Sequence, residues 1–364
     1  MRIAHVDTGR TWRGGQAQVW GLCRGLAARG HDQIVLAPRG PLTDRLTAGG
    51  IAWQRLESLN DLDFFASWRL SRALARYGPD LVHLHSGRAH ALGARAARGR
   101  PVVVSRRVDF EVSSGLARRW KYGRGVDRYL CISEGVRRVL VRGGIAPERL
   151  AVVPSGIDLE RWRTLPDPAA LRARLGLASK APVLGTIAAL APHKDLFNLL
   201  AAAAILRERV PRARWVVFGE GELRSPLERD RRARGLDDVV LFPGFLEHVG
   251  EALALMDVFV LSSYLEGLGT SVLDAQAAGV PVVATETGGV PEMIVSGDNG
   301  WLVPPRDAAA LAGAVAEALA HPEERARRAA RARETVRRFS LDATVEATLA
   351  VYRDVLAERA GVAS

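Results

Sequence analysis

The sequence predicts an α/β protein of two doubly wound domains, each a parallel sheet with helices on both faces. Three observations carry that reading. Short apolar runs rich in β-branched residues alternate with helical patterns along most of the chain, which is how parallel strands joined by helical crossovers read. A proline- and glycine-bearing stretch, Val153-Pro154-Ser155-Gly156-Ile157-Asp158, marks a domain boundary near the middle. The length of 364 residues is enough for two such domains with a full core each.

Taken in order, residues 2–6 form the first strand, and the loop Asp7 to Gln16 (DTGRTWRGGQ) leads into a helix through Arg29. Gly14 and Gly15, read as preceding that helix, would let the backbone approach a ligand phosphate. The spaced third glycine of a dinucleotide fingerprint is missing. Further strands are expected at 34–37, 81–85, 102–105 and 129–132, with helices over 64–77, 89–98 and 134–143. His83 and His85, two apart on a strand, share a face and could ligate a metal. No third ligand is recognisable, so no metal is expected.

Beyond the boundary, strands are expected at 183–187, 215–218 and 239–242. The second of these ends in Gly219-Glu220-Gly221 with Arg224 following, and the third in Pro243-Gly244-Phe245. Residues 258–284 then read as a βαβ unit, whose crossover should be right-handed. Its helix begins at Thr270 and is stopped by Gly279 ahead of Pro281. Helices over 307–320, 322–338 and 341–359 complete the chain, the middle one strongly basic and read as a solvated face.

Composition narrows the function classes. A hydrophobic fraction of 48% and a charged fraction of 25% are ordinary for a globular protein. No apolar run approaches the ~18 residues of a membrane-spanning helix, and the N-terminus reads as a strand and loop rather than a signal peptide. Cys23 and Cys131 are expected as buried thiols in a reducing cytosol. The net charge of +11 is almost all arginine, lysine occurring only at Lys121, Lys180 and Lys194. It reflects compositional bias as much as an anionic partner, and nucleic acid is not expected. Two stretches mix aromatics with cations: Phe64, Phe65, Trp68, Arg69 and Arg72, and Leu116, Arg118, Arg119, Trp120, Lys121 and Tyr122. Such surfaces can lie on anionic headgroups, but the favoured expectation places the aromatics in the core and the arginines outside.

The chemistry concentrates where the 262–269 loop enters its helix. Gly267, Gly269 and Thr270 carry backbone N–H groups that the helix cannot satisfy, and the helix dipole adds positive charge there, so the turn can seat a phosphate. Glu266 stands before that seat and Asp274 after it. Two carboxylates around an anion site would repel a bare phosphate. They suit a ligand with hydroxyls on both sides of a diphosphate, as in a nucleotide diphosphate sugar. An ordinary βαβ turn with a capping Thr270 and solvated acids fits the spacing equally well.

Glu266-Gly267-x-Gly269, followed by Leu273-Asp274-Ala275 and Ala278-Gly279-x-Pro281-Val282-Val283-Ala284-Thr285, resembles the donor-site signature of the retaining family 4 glycosyltransferases of GT-B fold. Gly288-Gly289-x-Pro291-Glu292 and Asn299-Gly300-x-Leu302-Val303 continue the pattern in order, and the resemblance covers nearly the whole chain. It implies two Rossmann-like domains facing an interdomain cleft. Residues 1–158 would form the acceptor side and 159–340 the donor side, with a terminal helix of about 341–364 returning to the first. Glu266 would hold the sugar hydroxyls, Lys194 and the amides of Gly267, Leu268, Gly269 and Thr270 the departing diphosphate, and Asp274 the ribose. Gly219, Arg224 and Phe245 would lie beside the nucleotide, and Gly14 and Gly15 near the donor phosphates or the acceptor. Arg107 would stand near the reacting sugar, with Arg13 and Arg106 facing the acceptor.

The resemblance further implies sugar transfer from a nucleotide diphosphate sugar, a UDP-sugar in family habit, to a hydroxyl acceptor with retention. The setting would be cell-envelope polysaccharide or glycolipid synthesis. The protein would be cytoplasmic or peripheral on the inner membrane face, with no metal or cofactor. A nucleotide-sugar binding protein with little turnover and a hydrolysing or epimerising GT-B enzyme are the alternatives. The chain departs from the family at three places. Asp274 replaces a glutamate. Ala189 replaces an arginine that would share the diphosphate with Lys194, a loss that Arg10 or Arg13 is expected to offset. Arg107 replaces a histidine and cannot act as a base at neutral pH. It would bind an acidic group or pair with Asp109 or Glu111, and both readings stand.

Overall fold

The structure is a computed structural model that describes residues 1–107 and 125–362. The stretch Leu116 to Tyr122, Asp109 and Glu111 lie outside the described residues. Contacts divide the chain into two units, Met1–Gly156 with Phe339–Ser364, and Ile157–Arg338.

The first unit carries strands β1 (Arg2–Val6), β2 (Asp32–Ala37), β3 (Trp53–Arg55), β4 (Leu81–Leu84), β5 (Val102–Arg106), β6 (Arg128–Cys131) and β7 (Leu150–Val152). They form a 7-stranded sheet in the order β3-β2-β1-β4-β5-β6-β7, parallel throughout. Helices α1 (Gly14–Ala28), α2 (Pro41–Ala48), α3 (Phe64–Tyr77), α4 (Gly87–Ala96) and α5 (Glu134–Arg142) connect them. The last helix of the chain, α13 (Leu341–Val362), belongs to this unit. Its Val345, Leu349, Tyr352 and Val355 are buried with Ile3, Leu26, Leu81 and Val103 in one core cluster. Strands buried on both faces read as continuous apolar runs, as the start of β5 does at Val102, Val103 and Val104.

The second unit holds β8 (Val183–Ile187), β9 (Arg214–Phe218), β10 (Val240–Gly244), β11 (Val258–Leu261), β12 (Val282–Thr285) and β13 (Trp301–Val303). Its 6-stranded sheet runs β10-β9-β8-β11-β12-β13. The helices are α6 (Ala169–Arg174), α7 (Leu196–Arg209), α8 (Arg224–Ala233), α9 (Val249–Leu255), α10 (Thr270–Ala278), α11 (Ala308–Ala320) and α12 (Pro322–Thr335). Its main core cluster fills one face of the sheet, where Leu184, Trp215, Val240, Val258 and Val260 pack with Leu199 and Leu206 of α7 and Leu311 of α11.

In both sheets the strand order reverses once, between β1 and β4 and between β8 and β11. Loops leaving neighbouring strands in opposite directions open a crevice at the carboxyl ends there, where α/β proteins bind ligands.

Two expectations are corrected. Helix α1 begins at Gly14, so Gly14 and Gly15 form its first turn instead of preceding it. Phe64, Phe65 and Trp68 lie in solvent, not in the core. Helix α3 buries Ala66, Leu70, Ala73 and Leu74, a stripe of small and aliphatic residues that packs on α4. That stripe leaves the aromatics on the opposite side of the helix.

Candidate functional site

In the second unit the reversal point brings two loops together, one following β8 and one following β11. The first is held by close backbone packing. Gly219 has φ +145, and a Cβ there would lie 1.9 Å from the Ala188 carbonyl oxygen; one on Gly221 would lie 2.4 Å from that of Leu190. Glycine lets the two turns touch, and the Leu190 N–H donates to Glu220 O at 3.0 Å. The chain then makes a 3₁₀ turn at Pro192–Lys194 and passes through Asp195 in the left-handed region, φ 47, into α7. The Ser262 hydroxyl donates to Lys194 O at 2.9 Å, and the Tyr264 N–H to His193 O at 3.0 Å. These bonds pin the two loops to each other.

The side chains follow. The Lys194 ammonium pairs with Glu266 Oε1, and the Ser263 hydroxyl donates to the same oxygen at 2.8 Å. The pair is mostly out of water, with side-chain exposures of 17% and 8%. A desolvated pair survives only when each charge keeps its partner and its hydrogen bonds. Helix α10 opens immediately after, with Gly269 at φ 87 and no side chain capping its first turn. The Val272 N–H returns to Gly269 O at 2.9 Å, and the helix start places its positive dipole end beside the pair, where an anion is favoured. Leu268 is buried and anchors the loop.

Asp274, just past the first turn of α10, is half-buried. Burial pushes its carboxyl up to about 7, against the pull of Arg161 and a hydrogen bond with Trp162. Both lie on the 3₁₀ turn Leu159–Trp162 of the same unit. Arg224 is fully engaged by the protein: Nε donates to Glu228 at 2.5 Å, and the two terminal nitrogens donate to Glu220 at 3.2 Å and to Phe242 O at 2.6 Å. It fastens the glycine turn to β10. Phe245 stands in solvent, 68% exposed. Ala189 leaves Lys194 without a neighbouring arginine on its own loop.

In the first unit the reversal point assembles a buried histidine cluster. His5 on β1 pairs in register with His83 on β4, and with His85 they bring candidate ligand nitrogens within 4.8 Å of one another. A third histidine therefore does join the pair read from the sequence, supplied by a strand far away in the chain. His5 and His85 bond each other, while His83 packs its ring 3.9 Å from that of His85 and bonds elsewhere. His5 Nδ1 and His85 Nε2 are 2.9 Å apart, His83 Nδ1 meets the Tyr352 hydroxyl, and His83 Nε2 meets Ser105 Oγ at 2.8 Å. Burial pushes His5 down to about 3 and lowers His83 and His85 well below the usual histidine range, so all three are neutral. Arg107 bounds the cluster at His85, donating to His85 O at 3.1 Å with its other terminal nitrogen 3.5 Å from His85 Nδ1. Burial lowers the Arg107 guanidinium to about 10, with Asp7 and Tyr352 opposing. A guanidinium beside the cluster disfavours a metal cation there.

The remaining first-unit residues stand apart from this cluster. Arg13 precedes α1 and is exposed, and Arg10 is ion-paired with Glu57 at 2.8 Å. Arg106 ends β5, half-buried. Ser263, Trp162 and His5 were invisible as site residues in the sequence, because their contacts depend on strand pairing and on a turn that packs on α10.

A family model described as Glycosyl transferases group 1 matches residues 168–335, and one described as Glycosyltransferase Family 4 matches residues 12–161. A glycogen synthase of Mycobacterium tuberculosis is 30% identical over 375 residues, spanning 91% of this chain and 88% of that protein. A D-inositol 3-phosphate glycosyltransferase of Saccharomonospora viridis is 37% identical over 229 residues, 60% of this chain, which spans about half (53%) of that relative's length. Among solved structures, Anabaena Alr3699/HepE in complex with UDP and glucose superposes with a TM-score of 0.87 at 21% identity, covering 97% of this chain and 100% of that one. A sucrose-phosphate synthase of Thermosynechococcus elongatus gives 0.82 at 22% identity, with 98% and 99% covered. The chain belongs to the glycosyltransferases, with a family 4-type domain followed by a group 1 domain, and its fold is GT-B.

Proposed function

We propose that this protein is a retaining family 4 hexosyltransferase. It moves a sugar from a nucleotide diphosphate sugar to a hydroxyl acceptor, with no metal or cofactor. The observation that carries the reading is the Lys194–Glu266 pair beside the uncapped start of α10, at the reversal point of its sheet. A UDP-sugar is the donor favoured by the UDP and UDP-glucose complexes of Anabaena HepE. The family habit of envelope polysaccharide or glycolipid synthesis favours a lipid-linked or glycan acceptor, and a cytoplasmic protein working at the inner membrane face.

In the transfer the bond between the anomeric carbon and the β-phosphate oxygen breaks, and the diphosphate keeps the electron pair. Lys194 and the amides of Gly267 to Thr270 stabilise that charge, the largest catalytic term available. The acceptor oxygen bonds to the anomeric carbon on the face the phosphate leaves, and its proton passes to the departing phosphate oxygen. Glu266, released from Lys194 as the phosphate takes over the ammonium, holds the sugar hydroxyls. Asp274 contacts the ribose once it exchanges Trp162 for a ribose hydroxyl. Gly14, Gly15, Arg13, Arg106 and Arg107 serve the acceptor side.

The test is UDP release from a panel of UDP-hexoses with NMR assignment of the product's anomeric configuration. Transfer with an inverted centre would contradict retention. Ala189 favours one second reading, a nucleotide-sugar binding protein with little turnover, since a single side-chain cation stabilises less leaving-group charge than two. Measurable turnover that Glu266→Ala abolishes decides against it.

A further inference from the structure

The first unit displays a built apolar surface that none of the transfer chemistry uses. Leu59, Leu62, Phe64, Phe65 and Trp68 are 83%, 56%, 71%, 76% and 50% exposed. Isolated exposed apolar residues are ordinary, but five large ones within ten residues make a patch that monomeric proteins rarely leave in water. The loop that carries them is held in shape. Asp63 caps α3 by accepting from the Ala66 N–H at 2.8 Å and also accepts from the Leu59 N–H at 3.0 Å, while Asn60 Oδ1 accepts from the Leu62 N–H at 2.9 Å. Polar groups face inward to the backbone and the apolar side chains face out.

Charge tells what covers this face. Helix α3 carries Arg69, Arg72 and Arg76 on its exposed side and no carboxylate anywhere along its length. Arg72 stacks over Trp68 at 4.9 Å and Arg95 of α4 over Phe64 at 5.5 Å. The nearby acids are already engaged: Asp63 in the cap, Asp61 with Arg88 at 3.8 Å, and Glu57 with Arg10 and Arg55. An apolar tip ringed by cations matches a layer with anionic headgroups above hydrocarbon. We propose that this face docks the protein on an anionic bilayer, with Leu59, Leu62, Phe64, Phe65 and Trp68 entering the acyl boundary and Arg69, Arg72 and Arg76 meeting the headgroups. The inference deepens the proposed membrane setting and rests on that reading only for its purpose, since docking needs neither donor nor acceptor.

The full chain is floated with vesicles of phosphatidylcholine and phosphatidylglycerol in equal parts, and with phosphatidylcholine alone, with no nucleotide sugar present. Binding to the anionic vesicles is expected to weaken as salt rises. Phe64→Ser with Phe65→Ser should weaken it by about tenfold or more. Arg69→Gln with Arg72→Gln should weaken it by about 25-fold, roughly fivefold per arginine. No binding to anionic vesicles overturns the proposal, as does binding unchanged in both double variants. A dimer in sedimentation that Phe64→Ser with Phe65→Ser dissociates, without vesicle binding, would assign the patch to a second copy of the chain instead. UDP release measured on the same samples separates failure of docking from failure of transfer.

Discussion

Glu266 and Lys194 occupy each other in the free protein, and Ser263 fixes the carboxylate that receives the ammonium. Under the proposed function a donor competes with that contact, its diphosphate offering Lys194 a more highly charged anion. Removing either partner strands a desolvated charge, so Lys194→Ala and Glu266→Ala should each destabilise the fold by about 3 kcal/mol, read by urea unfolding. The double replacement should cost less than the sum of the singles, since it strands no charge. Asp274 gives a pH signature. Its folded carboxyl titrates near 7 against an ordinary value of 3.8, so the folded state binds a proton that the unfolded chain has already released. The stability it contributes is full below about 3.8 and is lost as pH rises through 7. Asp274→Asn should flatten stability against pH across that window and leave the variant more stable than the parent above it, measured by denaturation at a series of pH values. Glu266, Lys194 and Asp274 were legible as candidates, because each stands within a local motif, and the structure pairs the first two. The sequence hid Trp162, Ser263 and His5: nothing in a tryptophan before a proline-rich stretch announces that it will donate a hydrogen bond to an aspartate.

Local signals spoke most clearly at the level of elements. Helix α10 runs from Thr270 to its left-handed glycine stop at Gly279, as the loop-to-helix pattern and Gly-Val-Pro ending foretell. The spans Phe64–Tyr77, Val183–Ile187 and Val258–Leu261 also match their patterns residue for residue. Helix α4 starts two residues early, at Gly87, because the Ser86 hydroxyl caps it, and β3 and β7, 3 residues each, are too short to carry a period. Exposure of the α3 aromatics was missed for another reason: an amphipathic pattern with two apolar stripes does not say which one the neighbouring helix will cover. The glycine turn after β9 has no such freedom. Gly219→Ala would force a side chain onto the Ala188 carbonyl at a backbone angle that side chains rarely adopt. It should cost about 1–3 kcal/mol or more and weaken nucleotide binding, because it displaces the loop that carries Lys194. Urea unfolding and UDP titration of the same variant check both effects.

Across the whole molecule, strand order within each sheet is what puts the chemistry where it is. Lys194 and Glu266 meet because β8 and β11 are neighbours at a reversal, a fact of topology that alternation alone implies but does not number. The terminal helix α13 completes the first unit's core from the far end of the sequence, through Val345, Leu349, Tyr352 and Val355. A chain ended at Ser340 should therefore lose cooperative unfolding of that unit, seen as a broadened or missing transition by calorimetry, while the second unit keeps its own core. Among the described residues no helix is long and apolar enough to cross a membrane.

The most direct test of the donor site is UDP release from a UDP-hexose panel, run with the parent beside Glu266→Ala and Lys194→Ala variants whose folding is checked by circular dichroism. The expected result is turnover of at least one donor by the parent and a fall of about 10²–10³-fold in kcat for each variant. Folded variants that release UDP as fast as the parent would contradict the assignment of these two side chains to the departing diphosphate and its sugar.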